Sequence, residues 1–141
     1  MIDSFRQRER ERMTERVVLG ELPVGGSEPL ISSAVRWGDL LFLSGRAPID
    51  TTSMEIVSTD FTEQAQNVVD QILASLAEAG SGPEYVLRVQ CYLLHAEDFG
   101  AWNTLWASTF PAPRPVRTTI VTGFTVPGML IEVEVTAGIP S

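Results

Sequence analysis

The chain has 141 residues, 44% of them hydrophobic, and a formal net charge of −8, enough for one domain with a core and too little to expect two. An acidic balance argues against nucleic acid as a partner, because backbone phosphates demand a cationic face. A lone Cys91 and a lone His95 exclude an internal disulfide and leave little from which to build a metal site, and with all ten basic residues arginine, lysine Schiff-base chemistry and a P-loop are excluded by inventory.

Residues 1–16 form a polar segment without apolar periodicity, either a frayed helix or a disordered arm, with Met13 as an alternative start. Five of the ten arginines lie here, so the body can grip an anion only with Arg36, Arg46, Arg88, Arg114 or Arg117. No apolar run approaches the ~20 residues needed to cross a bilayer, and the charged N-terminus lacks a signal-peptide core, so a soluble cytoplasmic protein is expected.

The single domain is expected over residues 17–141. Val17-Val18-Leu19 predicts a short edge strand ending at Gly20, followed by a loop rich in Gly, Pro and Ser through Pro29. Ser33 to Trp37 and Leu40 to Gly45 flank Gly38-Asp39 as a hairpin, and the unbroken apolar run Leu40-Leu41-Phe42-Leu43 predicts a second strand buried on both faces. Residues Pro48 to Ser53 read as a turn and Met54 to Val57 as a short strand. Thr59 and Asp60 offer cap oxygens, Glu63 follows at capping-box spacing, and Phe61, Ala65, Val68, Val69, Ile72, Leu76 and Ala79 recur at the helical period, predicting a helix over about 60–79 stopped by Gly80.

Tyr85 to Leu94 predicts a central strand. Asp98 can cap a second helix carrying Phe99, Trp102, Leu105, Trp106 and Thr109 on one face, which the Pro111–Pro115 stretch ends. Arg117 to Val121 and Met129 to Thr136 complete the strands, separated by Gly123 and a Pro127-Gly128 turn. This order gives an α+β domain, a mixed sheet with two helices on one face. A bare apolar face opposite them is a reason to oligomerise.

Four stretches then resemble one family. Ala34-Val35-Arg36-Trp37-Gly38-Asp39-Leu40-Leu41-Phe42-Leu43-Ser44-Gly45, Asp98-Phe99-Gly100-Ala101-Trp102-Asn103, Pro113-Arg114-Pro115-Val116-Arg117-Thr118-Thr119 and Ile131-Glu132-Val133-Glu134 are similar in type, order and spacing to the Rid (YjgF-type) enamine/imine deaminases. The resemblance implies a chorismate-mutase-like subunit, a homotrimer with ligand sites between subunits, and hydrolysis of 2-imino or enamino acids to 2-keto acids and ammonia without a cofactor. It implies that Arg117 clamps the substrate carboxylate, Glu132 handles the attacking water, and Asn103, Gly45, Thr119 and Ile31 shape the cleft. A guanidinium suits the first task because its planar fork donates two parallel hydrogen bonds. A carboxylate suits the second because it can take a proton from water and return it to the departing nitrogen.

Glu134 shares a strand face with Glu132 but reads better as a solvated or interface carboxylate. Cys91 and His95, four apart on a strand, are too far apart to work as a nucleophile pair, and a buried thiol with a loop histidine is the better reading. The chief departure is Ile31: many members carry a tyrosine there, whereas this chain reads Glu28-Pro29-Leu30-Ile31. The pocket is expected to be more apolar and to suit a larger or more hydrophobic imine. Two alternatives stay open, a pathway-specific enamine deaminase of the aminomuconate type and a non-catalytic trimer that binds small carboxylates or a protein.

Overall fold

The structure, a computed structural model, describes residues 1–23 and 29–141. Helix α1 (Ile2–Thr14) precedes strands β1 (Arg16–Pro23), β2 (Pro29–Trp37) and β3 (Leu40–Leu43). Helix α2 (Phe61–Glu78), β4 (Val86–Leu93), α3 (Phe99–Thr109), β5 (Val116–Val121) and β6 (Ile131–Gly138) follow. The six strands form one sheet in the order β1-β2-β3-β6-β4-β5, antiparallel except for the β4–β5 pair, which α3 connects. It is a mixed α+β fold.

Strand parity decides which face is core. Along β6 burial alternates strictly, with Ile131, Val133, Val135 and Ala137 buried and Glu132, Glu134 and Thr136 only partly so. Val89, Cys91 and Leu93 of β4 and Leu41 and Leu43 of β3 join the buried face. Against it packs the apolar stripe of α2, Phe61, Ala65, Val68, Val69, Ile72 and Leu76, together with Trp102 and Trp106 of α3. Each of the larger side chains contributes about 1.5–3 kcal/mol on leaving water.

The ends of α2 follow the sequence signals. Asp60 accepts from the Glu63 amide at 3.0 Å, and Ser58 completes the cap by accepting from the Asp60 amide and donating to the Glu63 carboxylate. At the other end Gly80 adopts a φ of +77° with amide bonds from Gly80 to Ala77 and from Ser81 to Leu76, the paired pattern of a Schellman stop.

Of the two readings left open for residues 1–16, the structure shows a helix over residues 2–14, whose described side chains are exposed. Several other expectations change. The edge strand does not stop at Gly20 but runs to Pro23, and β2 already begins at Pro29. The rest of the expected loop, residues 24–28 with Glu28 of the Ile31 stretch, lies outside the described residues. β3 is not buried on both faces: Leu40 and Phe42 are 40% and 45% exposed on the face opposite the buried Leu41 and Leu43, because none of the described residues covers it. Met54 to Val57 form no strand, and only an isolated bridge joins Ile49 to Ile56. Asp98 stands at the α3 N-cap without a side-chain cap bond, since a short 3-10 turn over Ala96–Asp98 leads into that helix. No helix among the described residues is long and apolar enough to cross a membrane.

Gln64 ties the loop after β5 to the start of α2. Its amide is fully buried, donates to the Ser58 and Gly128 carbonyls and accepts from the Leu130 amide, each at 2.8 Å. In Gln64→Leu the Ser58 and Gly128 carbonyls and the Leu130 amide, none of them in a fully buried residue, lose their partners at about 1 kcal/mol each. The denaturation midpoint should fall by the equivalent of about 3 kcal/mol, and a midpoint within error of the wild type would contradict this role.

Candidate functional site

Arg117 leaves β5 on the helix side of the sheet. It pairs in parallel register with Val89, whose side chain is fully buried. Its guanidinium lies 4.8 Å from the Trp106 ring centroid and 5.4 Å from that of Phe99, both on α3. These rings hold the cation over their faces for about 0.5–2 kcal/mol and leave its N–H edge unused. No carboxylate pairs with it among the described residues. Asn103 falls between Phe99 and Trp106 on the same stripe of α3, so the structure brings it to the Arg117 side.

Thr119, two residues along β5, shares that side. Its hydroxyl is buried without a hydrogen-bond partner, as is the Trp102 indole N–H. Both lie beside the Cys91 thiol, although neither reaches hydrogen-bonding geometry with it. Burial pushes that thiol up to about 11, the Thr119 hydroxyl and Trp102 opposing weakly, so Cys91 stays protonated and unreactive at neutral pH. His95 sits outside β4, at the cap of the 3-10 turn.

Glu132 leaves β6 on the opposite face. It alternates with the buried Ile131 and Val133 and stands across from Tyr92 of β4. Its carboxylate accepts no hydrogen bond among the described residues. Burial, and then the neighbouring Glu134, raise its pKa above the ordinary carboxylate value. Glu134 is occupied differently, accepting from the Tyr92 hydroxyl at 2.6 Å, a bond that with burial lifts the phenol to about 12.

Gly45 lies against Glu132. A Cβ built on Gly45 would stand 3.1 Å from the Glu132 Cδ and 3.3 Å from Oε1. A glycine fits a position of close approach, and here the group that approaches is the carboxylate itself. Both residues and Ile31 line a cavity of about 410 Å³ whose walls also include Ile49, Met54 and Met129. Arg46, on the same wall, is 3% exposed, and its guanidinium donates to the Ser44 and Ser33 carbonyls and the Ser33 and Ser75 hydroxyls. It braces the wall and has no free fork to offer a ligand.

Within one chain, therefore, Arg117, Thr119 and Asn103 gather on one side and Glu132, Gly45 and Ile31 on the other. Arg117 stands beside Val89, which stands beside Val135, whereas Glu132 stands beside Tyr92. Two strand spacings across and three residues along put the Arg117 and Glu132 backbones about 14 Å apart, on opposite faces. A single chain does not bring the guanidinium and the carboxylate together. Sequence reading missed Met54 and Met129, because assigning Met54 to a strand hid the turn that presents it, and it missed Phe99 and Trp106 as the clamp on Arg117, having placed them only in a helix face.

Residues 27–139 match the family model described as Endoribonuclease L-PSP. A RutC family protein of Pyrococcus abyssi is 34% identical over 106 residues, covering 75% of this chain and 84% of that protein. The crystal structure of a member of the YjgF protein family from Neisseria meningitidis superposes with a TM-score of 0.76 at 27% identity, covering 92% of this chain and 98% of that one. RidA from the Antarctic bacterium Psychrobacter superposes with a TM-score of 0.73 at 25% identity, covering 84% and 94%.

Proposed function

Because the chain belongs to the Endoribonuclease L-PSP family, which takes in the YjgF, RutC and Rid proteins, we propose that it hydrolyses 2-imino or enamino acids to 2-keto acids and ammonia at sites completed between subunits of a homotrimer. The observation that carries this reading is the pair of incomplete half-sites. Among the described residues, a guanidinium without an ion pair sits on one face of each chain, and a carboxylate with no hydrogen-bond donor and a raised pKa sits beside a cavity on the other. A head-to-tail ring of subunits apposes unlike surfaces, so the Arg117 half of one chain meets the Glu132 half of the next.

In such a cleft Arg117 holds the substrate carboxylate by its two-pronged edge, pre-oriented by Phe99 and Trp106. The protonated imine carbon is already electrophilic, so positioning does most of the work. Glu132 takes a proton as water adds to that carbon, then returns it to nitrogen. Ammonia leaves as the carbinol oxygen becomes the keto oxygen, and the second water proton is released. A carboxylate whose pKa is raised above its ordinary value is a stronger base toward the attacking water than an exposed one, and once protonated it can return that proton to nitrogen. Asn103 and Thr119 contribute polar contacts from the Arg117 side and Gly45 close backbone from the other. No step calls for a cofactor.

The family description names a nuclease. RNA cleavage needs a cationic surface along the phosphates, and this chain carries −8 with Arg117 as the cation offered to its proposed cleft. A small organic acid fits that charge balance better.

Release of keto acid or ammonia from imines generated in situ by an amino-acid oxidase tests the reading. Turnover well above the buffer rate is expected, and a rate equal to buffer across several side chains would favour a trimer that binds small carboxylates without reacting them. Gly45→Ala is expected to lower turnover about tenfold, because the new Cβ shifts the Glu132 carboxyl by a few tenths of an ångström and catalytic geometry tolerates little displacement. Wild-type turnover in that variant would show that Gly45 does not fix the carboxylate.

A further inference from the structure

We propose that the cavity beside Glu132 is a side-chain pocket that selects 2-imino acids with long or branched apolar side chains, and that Ile31 and Met54 are its specificity-determining residues. The proposal rests on the deaminase reading, because the cavity becomes a side-chain pocket only if the reacting carbon lies at Glu132.

Glu132 and Gly45 line the cavity together with the apolar side chains of Leu22, Ile31, Ile49, Met54, Val126 and Met129. Its volume of about 410 Å³ lies at the lower end of the range for small-molecule pockets, about 300–1,000 Å³. An imino acid of alanine size would fill little of it and leave water against aliphatic walls. A side chain of four or more carbons would displace that water and convert apolar contact into affinity. Of the polar side chains on the walls, Arg46 is engaged in the four bonds already described and Gln71 with the Ala47 carbonyl and Asn67, which leaves the Thr51 and Thr125 hydroxyls among the apolar side chains just named. Apart from Glu132, no charged side chain of that lining is free to meet a charged substrate tail.

Met54 is the distinctive element. Its φ of +61° makes it the one non-glycine residue with a left-handed backbone among the described residues. The turn imposes this: Asp50 Oδ1 accepts from the Thr52 and Ser53 amides, the Asp50 carbonyl accepts from Met54, and the Asp50 amide donates to the Glu55 carbonyl. Glycine would satisfy such a turn without strain. Methionine there instead hangs a flexible, polarizable chain on the cavity wall, able to adapt to substrates of different branching. Ile31 faces the same space from β2 and supplies a branched aliphatic wall.

Two measurements test the pocket. The first is the ratio of kcat/KM for imines made in situ from leucine or methionine to that for the alanine imine. The wild type should favour the longer side chains by tenfold or more, the discrimination a methylene or two earns in a fitted apolar pocket. In Met54→Gly, which the turn accepts, the ratio should fall about tenfold. A wild-type ratio at or below one, or a ratio unmoved in Met54→Gly, overturns the proposal while leaving the deaminase reading standing. The second is calorimetric titration with 4-methyl-2-oxopentanoate and with pyruvate, which needs no turnover. Tighter binding of the former by tenfold or more supports the pocket even if no imine is hydrolysed, and equal binding overturns it. Absence of hydrolysis of every imine sinks only the deaminase reading.

Discussion

Arg117→Ala is expected to lower kcat/KM for every imino acid by about 10³-fold while leaving the protein folded and its oligomeric state unchanged. Two charge-assisted hydrogen bonds at about 1.5–3 kcal/mol each are lost, and about 1.4 kcal/mol is a factor of ten. The loss should fall mainly on KM, because the substrate carboxylate is the same in the ground and transition states. Arg117→Lys should recover only a small part, since an ammonium cannot present two parallel donors and stacks less well between Phe99 and Trp106. Among the described residues that cation has no ion pair, so the variant loses only about 1 kcal/mol of ring contact. Activity surviving in Arg117→Ala would exclude the clamp.

Glu132→Gln should act on the other parameter, lowering kcat by about 10²–10⁴ with the fold intact, because the amide neither accepts the water proton nor returns one. Its stability should move the opposite way. The folded Glu132 pKa lies above its ordinary value, through burial first and Glu134 second, so the native state binds the extra proton and stability falls as pH rises through the interval between the two values. Glutamine removes that cost. The variant should therefore melt higher than the wild type at neutral pH, by a modest margin because the site is open to solvent, and the difference should vanish at pH values below the interval. On the same basis, wild-type turnover should decline as pH falls through the raised Glu132 value. A variant that is both inactive and less stable at neutral pH would show that Glu132 is held by contacts absent from this chain alone.

What could be read from the sequence tracks how local each determinant is. Helix α2 is written in neighbouring residues: Asp60 and Glu63 at one end, Gly80 at the other, and an apolar stripe between. The alternation of Ile131, Glu132, Val133 and Glu134 likewise puts the glutamates on one face without reference to anything distant. The face taken by Arg117 is different, because it depends on the parallel register of β5 against β4, set where Val89 meets Arg117. That pairing is made through α3 and not through neighbouring residues, so two motifs that look like partners in the sequence emerge on opposite sides of the sheet. The second face of β3 was misread for a related reason. An unbroken apolar run looks the same whether a chain's own helices or another surface covers it, and here Leu40 and Phe42 are left open. Met54 was missed because its backbone conformation is imposed by Asp50, and its β-compatible neighbours gave no sign of that turn.

The claim that each site takes its guanidinium from one chain and its carboxylate from the next is most directly tested by subunit exchange between the two inactive variants, Arg117→Ala and Glu132→Gln. In a head-to-tail trimer assembled from equal amounts of both, about a quarter of the interfaces join an intact Arg117 to an intact Glu132. Activity should therefore return to about a quarter of the wild-type level after mixing and reassembly. If labelled subunits exchange and the mixture stays as inactive as its parents, the two residues do not share a site across a subunit boundary.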